Sequence, residues 1–298
     1  MAAFTYHRPS DLDEALALLA EHGGDGKVLA GGQSLLPVMA MRLSSPAQLI
    51  DIARVGGLDG MSFDSDHLTI GAMARQATVE ASPDVVEAAP LLAAALPWIG
   101  HRAIRNRGTV CGSLAHADPA AELPAVALAL DAEFVVASSR GTRTVAAVDF
   151  FRGYLTTAIG DDELLTAVRF PKRPVRSGYS VQEVSRRHGD FARVGVAVGL
   201  VLDDAGSISS VSISLFGVAG TPVRAVAAER LLTGQQPNDE SFSAAAATVS
   251  GELSPQGDDH ATAAYRRHVA GVLTKRGLQA ATKDALIHAG LDEGGEAR

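Results

Sequence analysis

Two glycine-bearing segments carry the residue types best suited to holding an anion. One is Ala30-Gly31-Gly32-Gln33-Ser34, at the end of the apolar run Lys27-Val28-Leu29. The other is Arg107-Gly108-Thr109-Val110-Cys111-Gly112-Ser113. A backbone without Cβ lets a phosphate approach closely, and successive N–H groups form a donor set that needs no net positive charge. Ser34, Thr109 and Ser113 add hydroxyl donors, so the two loops together have the makings of a clasp for a dinucleotide. Each also reads as a plain turn, because neither has the G-x-G-x-x-G or P-loop spacing.

The second loop continues as Leu114-Ala115-His116-Ala117-Asp118-Pro119-Ala120-Ala121-Glu122-Leu123-Pro124. His116, Asp118 and Glu122 invite an acid/base or metal reading, and a carboxylate here equally suits the hydroxyls of a ribose or ribityl chain. Metal is the weakest option, since neither H-E-x-x-H nor H-x-H occurs. The plain alternatives are a hydrogen-bonded structural histidine and a turn or cap at Asp118. His101, Arg102, Arg105 and Arg107 crowd just before the loop, facing a pyrophosphate, a partner subunit, or simply solvent.

The whole chain supports a globular protein. Its 298 residues suit about two domains, and 47% apolar against 20% charged residues supply a sizeable core. The net charge of −8 argues against non-specific binding to nucleic acid or an anionic membrane. The single cysteine, Cys111, leaves no disulfide framework and no means of holding an iron–sulfur cluster alone. The start lacks a basic-then-apolar signal region, and the longest apolar stretch, about Val194 to Leu202, is half a membrane span. A cytoplasmic protein is the expectation.

These loops need elements to position them. Ser10 is expected to cap a helix whose Leu12, Ala15, Leu16 and Leu19 share one face, and Gly23-Gly24 stops it. Lys27 to Ala30 reads as a strand leading into the first loop, with Ser34 capping the next helix. Gln48 to Ile52, His67 to Gly71 and Ala132 to Ala137 read as strands. Helices are expected to begin at Thr78 to Glu80 and at Pro90 to Ile99, and Leu123 to Leu130 is apolar and helical. Gly108 to Ser113 reads as a glycine-rich turn. After a linker at Pro171-Lys172-Arg173-Pro174 come three long strands, Gly178 to Ser185, Ala192 to Leu202 and Ile208 to Val218. The Asp203-Asp204-Ala205-Gly206 segment between the last two is a hairpin signal. Helices follow at Arg224 to Leu232, Ser241 to Val249 and Ala261 to Leu273, and the tail after Gly290 is polar and expected to fray. The fold class is α+β.

Three segments resemble a known family: Ala30 to Pro37, Ile70-Gly-Ala-Met-Ala-Arg75, and Gly108 to Pro124. They are similar to the FAD-binding medium subunit of molybdenum hydroxylases, of the carbon monoxide dehydrogenase and xanthine dehydrogenase type. The likeness runs from Phe4 to about His288. It implies a two-lobed FAD-binding domain of the vanillyl-alcohol-oxidase-like (PCMH) superfamily over residues 1–174, with lobes of about 1–57 and 58–174. A small domain of three antiparallel strands with helices would follow over 175–288, and a frayed tail over 289–298.

By position, the resemblance assigns FAD contacts to Ala30, Gly31, Gly32, Gln33, Ser34 and Leu35. It assigns others to Thr109, Val110, Cys111, Gly112 and Ser113, with Ala117 and Asp118 following. Glu122 matches a carboxylate that binds the flavin's sugar chain. Ile99, His101, Leu165 and Gln182 (or Glu183) match further contacts. Many members carry histidine in place of Gln33 and glycine in place of Cys111. The glutamine keeps a donor, whereas the Cys111 side chain is expected to shift a tight turn slightly, as a packing residue rather than a redox centre.

The function implied is electron transfer. Substrate would be hydroxylated at molybdenum on a molybdopterin-bearing large subunit, and a small subunit with two [2Fe–2S] clusters would pass electrons to FAD and on to an external acceptor. The usual assembly is a dimer of such heterotrimers. No catalytic nucleophile or base is required of this chain. The rival expectations are a self-contained flavin oxidase of the same superfamily and a cofactor-free structural subunit.

Overall fold

The computed structural model describes residues 2–289. In chain order the elements begin β1 (Thr5–His7), α1 (Leu12–His22), β2 (Gly26–Leu29), α2 (Leu35–Ala40), β3 (Gln48–Asp51), β4 (Met61–Phe63) and β5 (His67–Gly71). Next are α3 (Gln76–Glu80), α4 (Pro83–Ala88), α5 (Pro90–Ala95), α6 (Arg102–Arg105), α7 (Val110–His116) and α8 (Glu122–Ala129). Then come β6 (Glu133–Ser138), β7 (Gly141–Ala146), α9 (Ala147–Phe150), β8 (Phe151–Gly153), β9 (Thr156–Thr157) and β10 (Leu164–Pro171). The chain closes with β11 (Ser177–Val184), β12 (Val194–Leu202), β13 (Ile208–Phe216), β14 (Val223–Arg224), α10 (Val226–Leu232), α11 (Asp239–Glu252) and α12 (Ala263–His288).

These elements form two compact units that alternate along the sequence. The first takes the chain up to Ser82, then His101–Ala117 and Asp131–Pro171. The second takes Pro83–Gly100, Asp118–Leu130 and the chain from Lys172 onward.

The first unit holds a parallel three-stranded sheet in the order β1-β3-β2, backed by the buried Ala15, Leu16 and Leu19 of α1. Asp11, not Ser10, caps that helix. The Asp11 carboxylate accepts from the Glu14 N–H while Glu14 reaches back to the Ser10 N–H, so the cap lies one residue later than expected. A five-stranded antiparallel sheet in the order β4-β5-β10-β6-β7 completes the unit. Phe134 and Phe150 stack beneath it, their ring centroids 3.6 Å apart.

In the second unit one strand explains the packing. The β12 sequence Val-Gly-Val-Ala-Val-Gly-Leu alternates large with small residues. Period-two alternation puts Val194, Val196, Val198 and Leu200 on one face, in a core with Ala228, Phe242, Ala245, Leu273 and Leu278 of α10 to α12. The opposite face presents Gly195, Ala197 and Gly199, and there α5 and α8 pack. Every residue of α8 is buried, Glu122 among them. An added Cβ at Gly178 of β11 would lie 1.9 Å from the Ala281 carbonyl oxygen of α12, so helix and strand touch backbone to backbone.

The three long strands and the Asp203 hairpin lie where the sequence places them, the turn closed by Asp203 N–H to the Ser207 carbonyl. Three differences have local causes. Pro83 starts an unforeseen helix, α4, before the expected one. Gly141–Ala146 forms β7, whose run of exposed side chains hides it from an apolar pattern. The expected helix at Ala261 to Leu273 continues to His288, because Gly271 and Gly277 are accommodated at close contacts rather than breaking it. The tail after Gly290 lies outside the described residues.

Candidate functional site

The two glycine segments meet. An added Cβ on Gly31 would fall 2.4 Å from the Arg107 carbonyl oxygen and 2.8 Å from Gly108 Cα, and one on Gly112 would lie 3.8 Å from Ala30 Cβ. The first segment therefore rests directly on the second. The missing side chain at Gly31 serves that contact rather than an approaching ligand. Gly32 has φ +73°, a left-handed geometry that L side chains adopt at a cost, and its N–H-bearing turn runs into α2 through the Leu36 N–H to Gly32 carbonyl bond. The Gln33 amide donates to the Gly31 carbonyl at 3.3 Å, holding the turn from above. Ser34 precedes Leu35 at the start of α2 but makes no capping bond, because its backbone is already helical. Its hydroxyl, like that of Ser113, is unengaged by the described residues.

The second segment is not an open glycine turn. Thr109, 2% exposed, caps α7 by accepting the Gly112 N–H at 3.0 Å, so Val110, Cys111, Gly112 and Ser113 are helical. Gly112 is required because an added Cβ would come within 2.6 Å of the Thr109 Oγ1 that caps it. The tight turn expected at Cys111 is thus a helix turn in which a side chain costs nothing. The thiol points into the core, reaching the Ile70 carbonyl at 3.5 Å, and burial pushes its pKa up to about 12, so it stays an inert thiol. Ala117 ends the helix in the left-handed region at φ +51°. Leu165 is buried in β10 beside a bulge, so only its backbone is available to a ligand.

A third strip backs the second segment and was missed as a site element, although its residues were part of the family likeness. Ala74 accepts the Val110 N–H at 3.3 Å, and Gln76 donates its N–H to the Gly108 carbonyl at 2.9 Å. The Arg75 guanidinium donates to the Arg107 carbonyl. Burial and the nearby positive charge of Arg107 both lower the Arg75 pKa. Neither arginine has a carboxylate within ion-pair distance among the described residues. Arg105 differs: its guanidinium makes a bidentate pair with Glu80 at 2.7 and 3.0 Å and is structural. His101 and Arg102 are exposed at the start of α6, and His101 makes no capping bond.

Ile99, Asp118, Glu122 and Gln182 belong to the second unit. Ile99 ends a single 3₁₀ turn, Leu96–Trp98. Asp118 forms a turn, its carboxylate accepting the Ala120 N–H at 2.9 Å. The next residue is anchored by the Gly217 N–H to Pro119 carbonyl bond of 2.7 Å, and Arg266 of α12 donates to the Gly217 carbonyl at 2.6 Å. Arg224 donates to the Leu128 carbonyl at 2.9 Å. Both ends of α8 are therefore pinned, which fixes Glu122 at its first position.

Strand register separates Gln182 from its neighbour. Gln182 stands opposite Val196, on the face that α12 covers, and its amide donates to Ser180 Oγ. Glu183 stands opposite Gly195, on the face that α5 and α8 cover. Of the two, Glu183 shares Glu122's side of the sheet. Glu122 is 5% exposed, and burial with the Asp118 charge raises its pKa to about 7. Burial and the charge of Glu122 raise that of Glu183 to about 8.

The sign of the resulting pH dependence follows directly. Between the ordinary glutamate value near 4.5 and these raised values the folded chain binds more protons than the unfolded one. Stability therefore falls as pH rises through about 5 to 8 and levels off above. Calorimetry at a series of pH values is expected to give a lower Tm at pH 8.5 than at 5.5, with a shallower slope in Glu183→Gln. A Tm that rises across this window would contradict the buried acid pair.

Among the described residues no helix is long and apolar enough to cross a membrane, and no cluster of three metal-ligating side chains occurs. Residues 2–173 match the family model described as the FAD binding domain in molybdopterin dehydrogenase. Residues 179–281 match the CO dehydrogenase flavoprotein C-terminal domain. The chain is 41% identical to the nicotine 6-hydroxylase medium subunit of Paenarthrobacter nicotinovorans, over 93% of this chain and 96% of that one. It is 37% identical to the carbon monoxide dehydrogenase medium chain of Hydrogenophaga pseudoflava, over 93% and 96%. The structure is similar to that of carbon monoxide dehydrogenase from the same organism, with a TM-score of 0.91 at 38% identity, covering 94% of this chain and 97% of the other. A chain of quinoline 2-oxidoreductase from Pseudomonas putida 86 aligns with a TM-score of 0.91 at 35% identity, covering 96% and 99%. The chain belongs to the family of FAD-binding medium subunits of molybdenum hydroxylases.

Proposed function

We propose that this chain holds FAD and passes electrons through it, between a partner subunit carrying two [2Fe–2S] clusters and an external acceptor. Substrate chemistry belongs to a molybdopterin-bearing large subunit, in a cytoplasmic assembly of two heterotrimers. The FAD-binding domain takes residues 1–174, in lobes of about 1–57 and 58–174, and the small domain takes 175–288.

The observation that carries this reading is the seating of Gly31 on Arg107 and Gly108, which joins two polar, glycine-bearing segments into one surface. Arg75 and Arg107 stand beside that surface with no carboxylate within ion-pair distance among the described residues, so it suits a bound anion in a chain whose net charge is negative. Ala30 to Leu35 and Thr109 to Ser113 would hold the cofactor's phosphate-bearing part, with the Ser34 and Ser113 hydroxyls free to donate. Ala117, Ile99, His101 and the backbone at Leu165 would contribute further contacts. Glu122, fixed at the start of α8, would accept from ribityl hydroxyls. Bound FAD supplies a two-electron store, and the chain's own work is to place it and exclude water from it.

The visible spectrum of the purified full chain tests this. The expected result is a flavin band with about one FAD per chain, released on denaturation. A colourless, folded chain that also refuses added FAD would overturn the reading.

A further inference from the structure

The second glycine segment offers three successive carbonyl oxygens, and the strip formed by Arg75 and Gln76 takes all of them. The Arg75 guanidinium donates to the Arg107 carbonyl. The Gln76 N–H donates to the Gly108 carbonyl at 2.9 Å, and the Gln76 side-chain amide reaches the Thr109 carbonyl at 3.4 Å. Ala74 closes the pairing by accepting the Val110 N–H at 3.3 Å. All of these residues lie in the first unit.

The strip makes these bonds at a cost. Gln76 is 3% exposed, and its Oε1 has no hydrogen-bond partner. That oxygen lies against Gly108, where an added Cβ would come within 2.8 Å of it. An amide kept in the core with one end unpaired is held there for its other end, the donor on Thr109. Arg75 is likewise withdrawn from water: burial first, and then the positive charge of Arg107, work against its protonated form. The Asp51 carboxylate favours that form but is engaged by the Tyr6 hydroxyl and the Ala53 N–H, and it makes no ion pair with Arg75 among the described residues.

The consequence falls on the seam between the two glycine segments. Gly31 rests on the Arg107 carbonyl oxygen, which an added Cβ would approach to 2.4 Å. Left bare, that oxygen would turn partial negative charge toward any anion held at the seam. Covered by a guanidinium, it is neutralised, and a delocalised cation stands beside it. Only one of the five guanidinium N–H donors is needed for this bond.

We propose that Arg75 is the positioning residue of the surface that receives the FAD diphosphate: acting through the Arg107 carbonyl, with Gln76 holding the next two carbonyls, it fixes the second segment against Gly31 and turns the seam from repelling to attracting phosphate. This rests on the FAD reading above and adds to it a residue that works without touching the cofactor. A lysine in its place keeps a cationic donor for the carbonyl, whereas a methionine keeps only the bulk.

The test titrates FAD into the flavin-stripped full chain, following flavin fluorescence, with wild type, Arg75→Lys and Arg75→Met side by side. Each is measured at about 50 mM and about 500 mM sodium chloride, which screens the charge. Wild type is expected to bind about fivefold more weakly at the higher salt. Arg75→Lys is expected to bind within about tenfold of wild type and to keep that salt dependence. Arg75→Met is expected to bind about thirtyfold more weakly at low salt, with little further change when salt is added. Calorimetry of the flavin-stripped chains supplies a readout without cofactor, and Arg75→Met is expected to melt within about 2 °C of wild type. Wild-type affinity in Arg75→Met, or equal salt dependence in all three chains, would overturn this proposal and leave the FAD reading standing. Should Arg75→Met not fold, Arg75→Lys decides alone, and binding more than about tenfold weaker than wild type would overturn the proposal. A wild-type chain that binds no FAD at either salt would overturn both readings.

Discussion

Gly31→Ala is expected to empty the chain of FAD. The new methyl group would sit 2.4 Å from the Arg107 carbonyl oxygen and 2.8 Å from Gly108 Cα. Both are backbone atoms, so no side-chain rotation relieves the overlap, and the first segment must lift off the second. Forcing a methyl into close-packed backbone costs on the order of 1–3 kcal/mol. The displacement falls on the surface that would hold the phosphates, so FAD affinity is expected to drop about a hundredfold, which corresponds to about 3 kcal/mol. The sheets and the second unit contain none of these atoms, so circular dichroism is expected to change little. Gly24→Ala is the matched control, since its nearest neighbour is the movable Asp161 carboxylate at 3.4 Å. A Gly31→Ala chain purified with its full complement of FAD would show that the contact between the segments is dispensable.

Gly178→Ala is expected to be the most destabilising single methyl group in the chain. It would meet the Ala281 carbonyl oxygen at 1.9 Å and the Ala285 nitrogen at 2.3 Å, both part of the backbone of α12. That 26-residue helix has the buried Ala270, Leu273, Leu278, Ala281 and Ala285 along the face that seals the core. Separating it from β11 opens the contact along several turns. A loss of more than about 3 kcal/mol is expected, visible as a fall in Tm of about 10 °C or as insoluble protein on expression. Gly206→Ala, in the exposed hairpin turn with nothing within 4 Å, isolates the cost of a left-handed glycine and is expected to lose only about 1 kcal/mol. Equal melting of the Gly178 and Gly206 variants would contradict the backbone contact seen here.

The sequence makes the long apolar strands legible because β12 and β13 are unbroken runs of aliphatic and small residues closed by Asp-Asp-Ala-Gly. It makes the candidate site legible because Gly31, Gly32 and Gly112 are set among polar residues and spaced as in a known family. Other features depend on what lies far along the chain. A glycine string does not reveal that Thr109 would cap a helix through Gly112, or that Gly31 is bare for the sake of Arg107. Composition cannot separate Gln182 from Glu183, because only the register with Gly195 decides which side chain turns toward α8. The Arg75 strip was overlooked because a lone arginine after an apolar strand has no signature of its own. Its role comes from the pairing of Arg75 with Thr109 across 33 intervening residues.

The burial of α8 on all sides bears on how the chain assembles as it is made. That helix ends at Ala129, whereas the strands it packs against, β12 and β13, extend to Phe216. At synthesis rates of about 5–20 residues per second, its apolar surface waits for some seconds before its cover exists. A ribosome halted near Pro171 would therefore display a greasy helix whose α5 side has a partner but whose sheet side is bare. Such a nascent chain is an expected client for a holdase, and expressing the amino-terminal segment alone is expected to give inclusion bodies rather than a smaller flavoprotein.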